Sequence, residues 1–191
     1  MKDFDRIFTN EASRVGCILG SSRVLFIKTG QGGTIYGEGD RYLRLATYAN
    51  TKYGCSVFVA STVSDGREEY DREMRLVREC SGTDDIDIYY LGFSKGGLIG
   101  CWYGAEEPSV KRLVSVNAPL MINFQNRTRP ALRKFEKGRV TMVYGTLDPS
   151  YRYVEFLKDD ATVRVIEGGD HRLSNVDFRF EQLVDALLSA L

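Results

Sequence analysis

Near the middle of the chain, Ile86-Asp87-Ile88-Tyr89-Tyr90-Leu91 runs directly into Gly92-Phe93-Ser94-Lys95-Gly96-Gly97, and a stretch carrying Leu98, Ile99 and Trp102 at packing positions follows. The β-branched and aromatic run reads as a strand over 86–91, and the stretch Lys95 to Tyr103 reads as a helix. Only a few residues separate the two, so the chain must turn sharply at Ser94. Such a turn forces strained backbone angles on the serine and leaves no room beside it for Cβ atoms, which is what Gly92 and Gly96 provide. A strand–serine–helix turn belongs to layered α/β architecture and leaves the hydroxyl at the end of a sheet, above a helix N-terminus. The plainer alternative is a glycine-rich turn with an incidental serine, and the rest of the chain has to decide between them.

The rest of the chain repeats the same alternation. Val24-Leu25-Phe26-Ile27 is a short apolar run closed by Gly30-Gln31-Gly32-Gly33, suited to a strand buried on both faces of a parallel sheet. Arg41 to Tyr53 shows Tyr42, Leu45, Ala46 and Ala49 at helical spacing, with Gly54 as the stop. Ser56 to Ala60 is the next strand, and Asp65-Gly66 turns the chain. Glu68 to Cys80 reads as a charged, surface-facing helix with Met74 and Val77 inward. Val110 to Val116, Arg139 to Gly145 and Thr162 to Ile166 complete the strands. Tyr151 to Leu157 is a short helix, and Phe178 to Leu191 a closing amphipathic one, with Leu183, Val184, Leu187, Leu188 and Leu191 inward. Phe4 to Thr9 and Arg14 to Leu19 suit an antiparallel hairpin ahead of the alternating part. Strands alternating with helices imply right-handed crossovers, so the expected fold class is α/β: a doubly wound, mostly parallel sheet with helices on both faces.

Composition narrows the function classes. At 191 residues, 43% of them hydrophobic, the chain suits a single domain over 1–191, and no linker or internal repeat divides it. Lys and Arg number 26 and so do Asp and Glu, which argues against a dedicated nucleic-acid binder. No apolar stretch approaches a membrane span. The segment Met1 to Arg6 lacks the apolar core of a signal peptide, so the expected compartment is the cytoplasm. Cys17, Cys55, Cys80 and Cys101 form no Cys-x-x-Cys pair, and Cys101, two helical turns beyond Ser94, is expected to face the sheet as a reduced thiol. The segment Asn117 to Lys137 holds Pro119, Pro130 and the cations Arg127, Arg129, Arg133, Lys134 and Lys137. Such a run is ordinarily a solvated face; recognition of an anionic substrate group is the minority alternative.

A serine hydroxyl becomes a useful nucleophile only beside a base that takes its proton and a carboxylate that orients the base. The sole histidine, His171, follows the last strand in Gly168-Gly169-Asp170-His171, where two glycines let the chain turn back over the sheet edge. The carboxylate candidate is Asp148, directly after a buried-type strand in Gly145-Thr146-Leu147-Asp148-Pro149. Asp170 is its rival by adjacency to His171, but neighbouring residues in an extended turn point different ways. Asn117, after the preceding strand, is not ionised and suits the acid role poorly.

The order Ser94, Asp148, His171, taken with Gly92-Phe93-Ser94-Lys95-Gly96-Gly97, Gly145-Thr146-Leu147-Asp148 and Gly168-Gly169-Asp170-His171, resembles the α/β-hydrolase fold family from about Val24 to Leu191. The resemblance implies a small serine hydrolase with little or no cap, a nucleophile elbow at Ser94, a catalytic triad, and no metal or organic cofactor. It also implies an oxyanion hole built from two backbone N–H groups, that of Lys95 and one in the loop Lys28 to Gly33, where Gln31 matches by position. Many relatives carry His-Gly before that donor, whereas this chain has Thr29-Gly30. The competing explanation of the loop, a dinucleotide-binding turn, does not fit Gly-x-Gly-x-x-Gly, because Ile35 occupies the third glycine position. The expected substrate is a small ester or thioester, with Tyr36, Met121 and Phe124 as apolar pocket residues. The alternatives are a non-catalytic interaction protein on the same scaffold and a nucleotide-binding module. The acyl group, the leaving group and the oligomeric state are not legible in the sequence.

Overall fold

The alternation of buried runs and amphipathic stretches builds one eight-stranded sheet with helices on both faces. The structure, a computed structural model, describes residues 3–10 and 13–189. Its strands are β1 (Arg6–Asn10), β2 (Ser13–Ile18), β3 (Ser21–Gln31), β4 (Cys55–Thr62), β5 (Asp87–Phe93), β6 (Val110–Val116), β7 (Val140–Gly145) and β8 (Thr162–Ile166). The helices are α1 (Arg41–Tyr53), α2 (Arg67–Ser81), α3 (Lys95–Tyr103), the single turn α4 (Arg129–Leu132) and α5 (Glu181–Leu188). Across the sheet the order is β1-β2-β4-β3-β5-β6-β7-β8. The first hairpin and the β2–β4 pair are antiparallel, and the pairs from β4 through β3 to β8 are parallel. No helix among the described residues is long and apolar enough to cross a membrane.

Because side chains alternate across a strand, β3 sends Phe26 to one face and Leu25 and Ile27 to the other. Phe26, Phe58, Tyr90 and Met142 form one core with Met74 and Val77 of α2 and with Leu98 and Trp102 of α3. Leu25, Ile27, Val57 and Leu91 form the other, with Leu45, Ala46 and Ala49 of α1 and with Leu183, Val184 and Leu187 of α5. Burial on both faces explains why the central strands are apolar without interruption. Gly54 and Gly82, at φ 63° and 68°, end α1 and α2, and their N–H groups close onto Asn50 and Arg78 carbonyls. Cys101 is fully buried with its Sγ 3.8 Å from Met142 Sδ, and burial pushes its thiol up to about 12, so it stays protonated and inert.

Four elements depart from expectation. β3 does not stop at Gly30: Gln31 still pairs with Thr62, and Gly32 N–H donates to Thr62 O, because β4 runs on beside it. Tyr151–Leu157 is wound as 3₁₀ turns. α5 starts at Glu181, since Phe178 and Phe180 pack edge to face just ahead of it; Leu191 lies outside the described residues. Finally, α2 buries Glu69, Tyr70 and Glu73 beside Met74 and Val77. The cause lies on β3, where Lys28 shares a side with Phe26 and reaches under α2. Its Nζ donates to Glu69 Oε1 (2.8 Å), Glu73 Oε1 (2.5 Å) and the Ser61 carbonyl (2.9 Å).

Candidate active site

β5 ends at the carboxyl edge of the sheet, and Ser94 sits between it and α3 at φ 49°, ψ −121°, a conformation that costs a non-glycine residue energy unless its surroundings hold it. Two contacts hold it: Ser94 N–H donates to Val116 O on β6 (2.7 Å), and its own carbonyl accepts Leu98 N–H in the first turn of α3 (3.2 Å). The glycines are required by space. A Cβ on Gly92 would lie 2.4 Å from Gly97 Cα, and one on Gly96 would lie 2.3 Å from the Thr29 carbonyl oxygen.

His171 stands over this turn. Its Nε2 is 3.0 Å from Ser94 Oγ, and its Nδ1 makes a short contact with Asp148 Oδ2. Asp148 is 4% exposed, and its other oxygen accepts Ser150 N–H at 2.7 Å. A fixed, buried carboxylate against Nδ1 places the proton there and leaves Nε2 free to accept from the hydroxyl. The Asp148 bond also raises the His171 pKa above its ordinary value, more than burial and the nearby Arg172 charge lower it. Asp170 does something else. Its carboxylate accepts the N–H groups of Arg172 and Ser174 (both 3.0 Å) and the Ser174 hydroxyl (3.1 Å), which folds the loop carrying His171.

Asn117, set aside in sequence only as a poor acid, has a positioning role that the sequence does not reveal. Asn117, at φ 48° just past β6, donates through Nδ2 to the carbonyls of Asp170 (3.1 Å) and His171 (2.8 Å), and its Oδ1 accepts Gly145 N–H (3.0 Å). One amide thus ties the end of β7, which leads to Asp148, to the His171 loop. The two loops also meet directly: Leu147 N–H donates to Gly169 O at 2.9 Å, and a Cβ on Gly145 would fall 2.2 Å from that oxygen. The available signal was positional, a polar residue directly after a strand at the carboxyl edge.

Ser94 and His171 open into a cleft of about 630 Å³. Tyr42, Phe93 and Val116 form its apolar floor; Gly30, Gln31, Gly32 and Gly33 form one wall; Glu38, Arg41 and Arg172 stand at its rim. The glycine wall presses on the serine, since a Cβ on Gly30 would sit 3.2 Å from Ser94 Cβ. Helix α1 begins only at Arg41, well beyond these glycines, so the loop does not lead into a helix N-terminus as a dinucleotide-binding turn would. Lys95 turns its side chain away, toward Asp65 at 3.5 Å.

The expected pocket residues are placed elsewhere. Tyr36 packs on Phe4, with ring centroids 5.6 Å apart, Met121 is 43% exposed beside Ser150, and Phe124 is buried against Tyr153 and Phe156. Beyond β6 the chain packs Leu120, Phe124 and Leu132 into the core under α2 and α3, whereas the cleft floor belongs to the core of the opposite face. The basic segment is likewise occupied. Arg127 stacks on Trp102 (3.7 Å) and donates to Tyr103 Oη, Arg129 and Arg133 both pair with Asp160, and Lys134 pairs with Glu106. Among the described residues, no group of three or more His, Cys, Asp or Glu is placed to hold a metal ion.

No family model matches this sequence, and no curated protein matches it. Solved structures do match in shape. Est1E from Butyrivibrio proteoclasticus superimposes with a TM-score of 0.72 at 16% identity, over 98% of this chain and 97% of its own. Dienelactone hydrolase from Anabaena variabilis gives 0.68 at 15% identity, over 98% of this chain and 95% of its own. XC6422 from Xanthomonas campestris, described as an α/β serine hydrolase without a lid, gives 0.59 at 19% identity, over 92% of this chain and 86% of its own. The chain has the α/β-hydrolase fold, and a fold by itself does not assign a reaction.

Proposed function

We propose that this protein is a serine hydrolase that cleaves a carboxylic ester or thioester of a small substrate through an acyl-enzyme on Ser94. The observation that carries this is the position of His171, whose one ring nitrogen is 3.0 Å from the Ser94 hydroxyl while the other meets the buried Asp148 carboxylate. Ser94 Oγ attacks the acyl carbonyl and His171 Nε2 takes its proton, with Asp148 holding the imidazolium that forms. As the carbon–oxygen or carbon–sulfur bond to the leaving group breaks, His171 returns the proton to the departing alcohol or thiol. Water then attacks the acyl-enzyme, losing its proton to His171; as the bond from the acyl carbon to Ser94 Oγ breaks, His171 returns that proton to Oγ and the acid is released.

The oxyanion of each tetrahedral intermediate needs two donors. Lys95 N–H lies in the first turn of α3, where a helix has no internal acceptor for it. For the second we assign Gln31 N–H, in the glycine-rich loop whose Gly30 packs so closely on the turn that a Cβ there would sit 3.2 Å from Ser94 Cβ. The resemblance in shape to a lidless serine hydrolase and to a dienelactone hydrolase supports the chemistry class.

A fluorophosphonate probe tests the proposal. The wild type is expected to be labelled and Ser94→Ala not, with the wild type also hydrolysing short nitrophenyl esters or acyl thioesters. A folded wild type that takes no label overturns the enzymatic assignment and favours a non-catalytic scaffold.

A further inference from the structure

Two arginines far apart in the sequence, Arg41 at the start of α1 and Arg172 just after His171, meet at the rim of the Ser94 cleft. Arg41 Nη1 donates to the Arg172 carbonyl (3.1 Å), and its guanidinium lies over the Phe180 ring, 4.4 Å from the centroid. These contacts fix the side chain without neutralising it, and among the described residues no carboxylate is within ion-pair distance of Arg41. Arg172 reaches Glu38 only at 3.5 Å, between side chains 71% and 62% exposed, which leaves most of its charge in play. The fixed rim charges are therefore two cations against one carboxylate, above a floor of Tyr42, Phe93 and Val116. By contrast Arg129, Arg133 and Lys134 are paired with carboxylates, and Arg127, stacked on Trp102, does not line the cleft. An unneutralised guanidinium anchored on an aromatic ring, in the same cleft as the Ser94 hydroxyl, suits a planar anion, which it can grip with two parallel hydrogen bonds.

We propose that the substrate carries a carboxylate close to its scissile ester or thioester, and that Arg41, assisted by Arg172, binds it. This rests on the assignment of Ser94 as a nucleophile. A carboxylate on the acyl side or on the leaving-group side would present the same chemistry to the rim.

The test compares kcat/KM for matched ester pairs at low ionic strength. In the acyl arm, mono-4-nitrophenyl succinate is set against 4-nitrophenyl butyrate; in the leaving-group arm, 3-acetoxybenzoate against phenyl acetate, each rate being corrected for intrinsic ester reactivity. At least one arm is expected to favour the anion by about tenfold or more, the scale of a charge-assisted bidentate contact. That preference should shrink as salt is raised, because exposed charges are screened over about 10 Å at 0.1 M. Arg41→Gln should collapse the anionic-to-neutral ratio, and Arg41→Lys should restore part of it. If Arg41 only braces the His171 loop, both members of a pair fall together and the ratio stays put, which overturns the proposal. Labelling by the fluorophosphonate with no anion preference in either arm overturns it alone, whereas absence of both labelling and turnover removes the hydrolase assignment and this proposal with it.

Discussion

Two charged clusters flank the turn at Ser94, and they are built to opposite ends. Ser94, His171 and Asp148 come from three loops at the carboxyl edge of the sheet; their carboxylate is buried, but the imidazole is 47% exposed and opens into a cleft. Lys28, Glu69 and Glu73 lie behind the same turn, with side chains 1%, 8% and 3% exposed, sealed under α2. The first cluster is held by loop contacts and can exchange protons with a bound molecule. The second is held by core packing and is closed to one, and among the described residues Glu73 Oε2 has no hydrogen-bond partner. A charged constellation becomes a site when one member reaches solvent; otherwise its effect falls on stability.

The largest effect expected from breaking this contrast is on the open cluster. On the proposed mechanism Asp148→Asn should lower kcat by about four orders of magnitude through loss of the correct histidine tautomer, the scale that change has in a Ser-His-Asp serine protease, with the thermal midpoint nearly unchanged. Asp170→Asn should keep far more activity, because that carboxylate folds the loop and does not touch the imidazole. Steady-state kinetics and thermal melts on both variants check this, and equal activity losses would erase the distinction between the two acids.

The sealed cluster should respond the other way. Lys28→Met leaves two buried carboxylates without their cation and is expected to cost about 3–5 kcal/mol. For a chain of this size that corresponds to a fall in Tm of roughly 10 °C, with the folded fraction still taking the fluorophosphonate label. Replacing Lys28, Glu69 and Glu73 together by apolar residues of similar volume should recover most of the loss, since a buried ion cluster often stabilises no more than good packing does. Chemical denaturation measures both.

The smallest effects are in pH, and they run in opposite directions. In the proposed mechanism activity needs neutral His171, whose pKa Asp148 raises above its ordinary value, so hydrolysis should fall as pH drops and already be reduced somewhat above that value. Stability should instead fall as pH rises through the Glu73 window. Burial, only partly offset by Lys28, lifts this carboxyl from its ordinary 4.5 to about 7, so between those values the folded state holds a proton that the unfolded chain has released. Its contribution is greatest below the lower value and is lost as pH passes the upper one. Glu69 has the reverse sign: burial would raise it, but bonds from Lys28 and Ser64 hold it below its ordinary value. Glu69 therefore stabilises above that value and stops doing so in acid. Glu73→Gln should flatten the decline of stability toward neutral pH without moving the activity profile. Parallel pH series of melts and rates test the pair, and an activity profile that shifts with Glu73→Gln would join the two clusters.

The sequence by itself determined the alternation of elements, the both-faces-buried centre of the sheet and the sharp turn at Ser94. Each of these depends on the nature of neighbouring residues: uninterrupted apolar runs, a 3.6-residue repeat, and glycines where a Cβ cannot fit. It also singled out Ser94, Asp148 and His171 by their positions after β5, β7 and β8. Only the tertiary structure decided that these three side chains meet, that Asn117 ties their loops together, and that α2 covers an ion cluster. It alone set Arg41 beside Arg172 while Phe124 went to the opposite face. Those outcomes depend on which strand lies next to which and on which side of the sheet a loop descends. The strand order β2-β4-β3-β5 brings together residues tens of positions apart, and no local pattern carries that information.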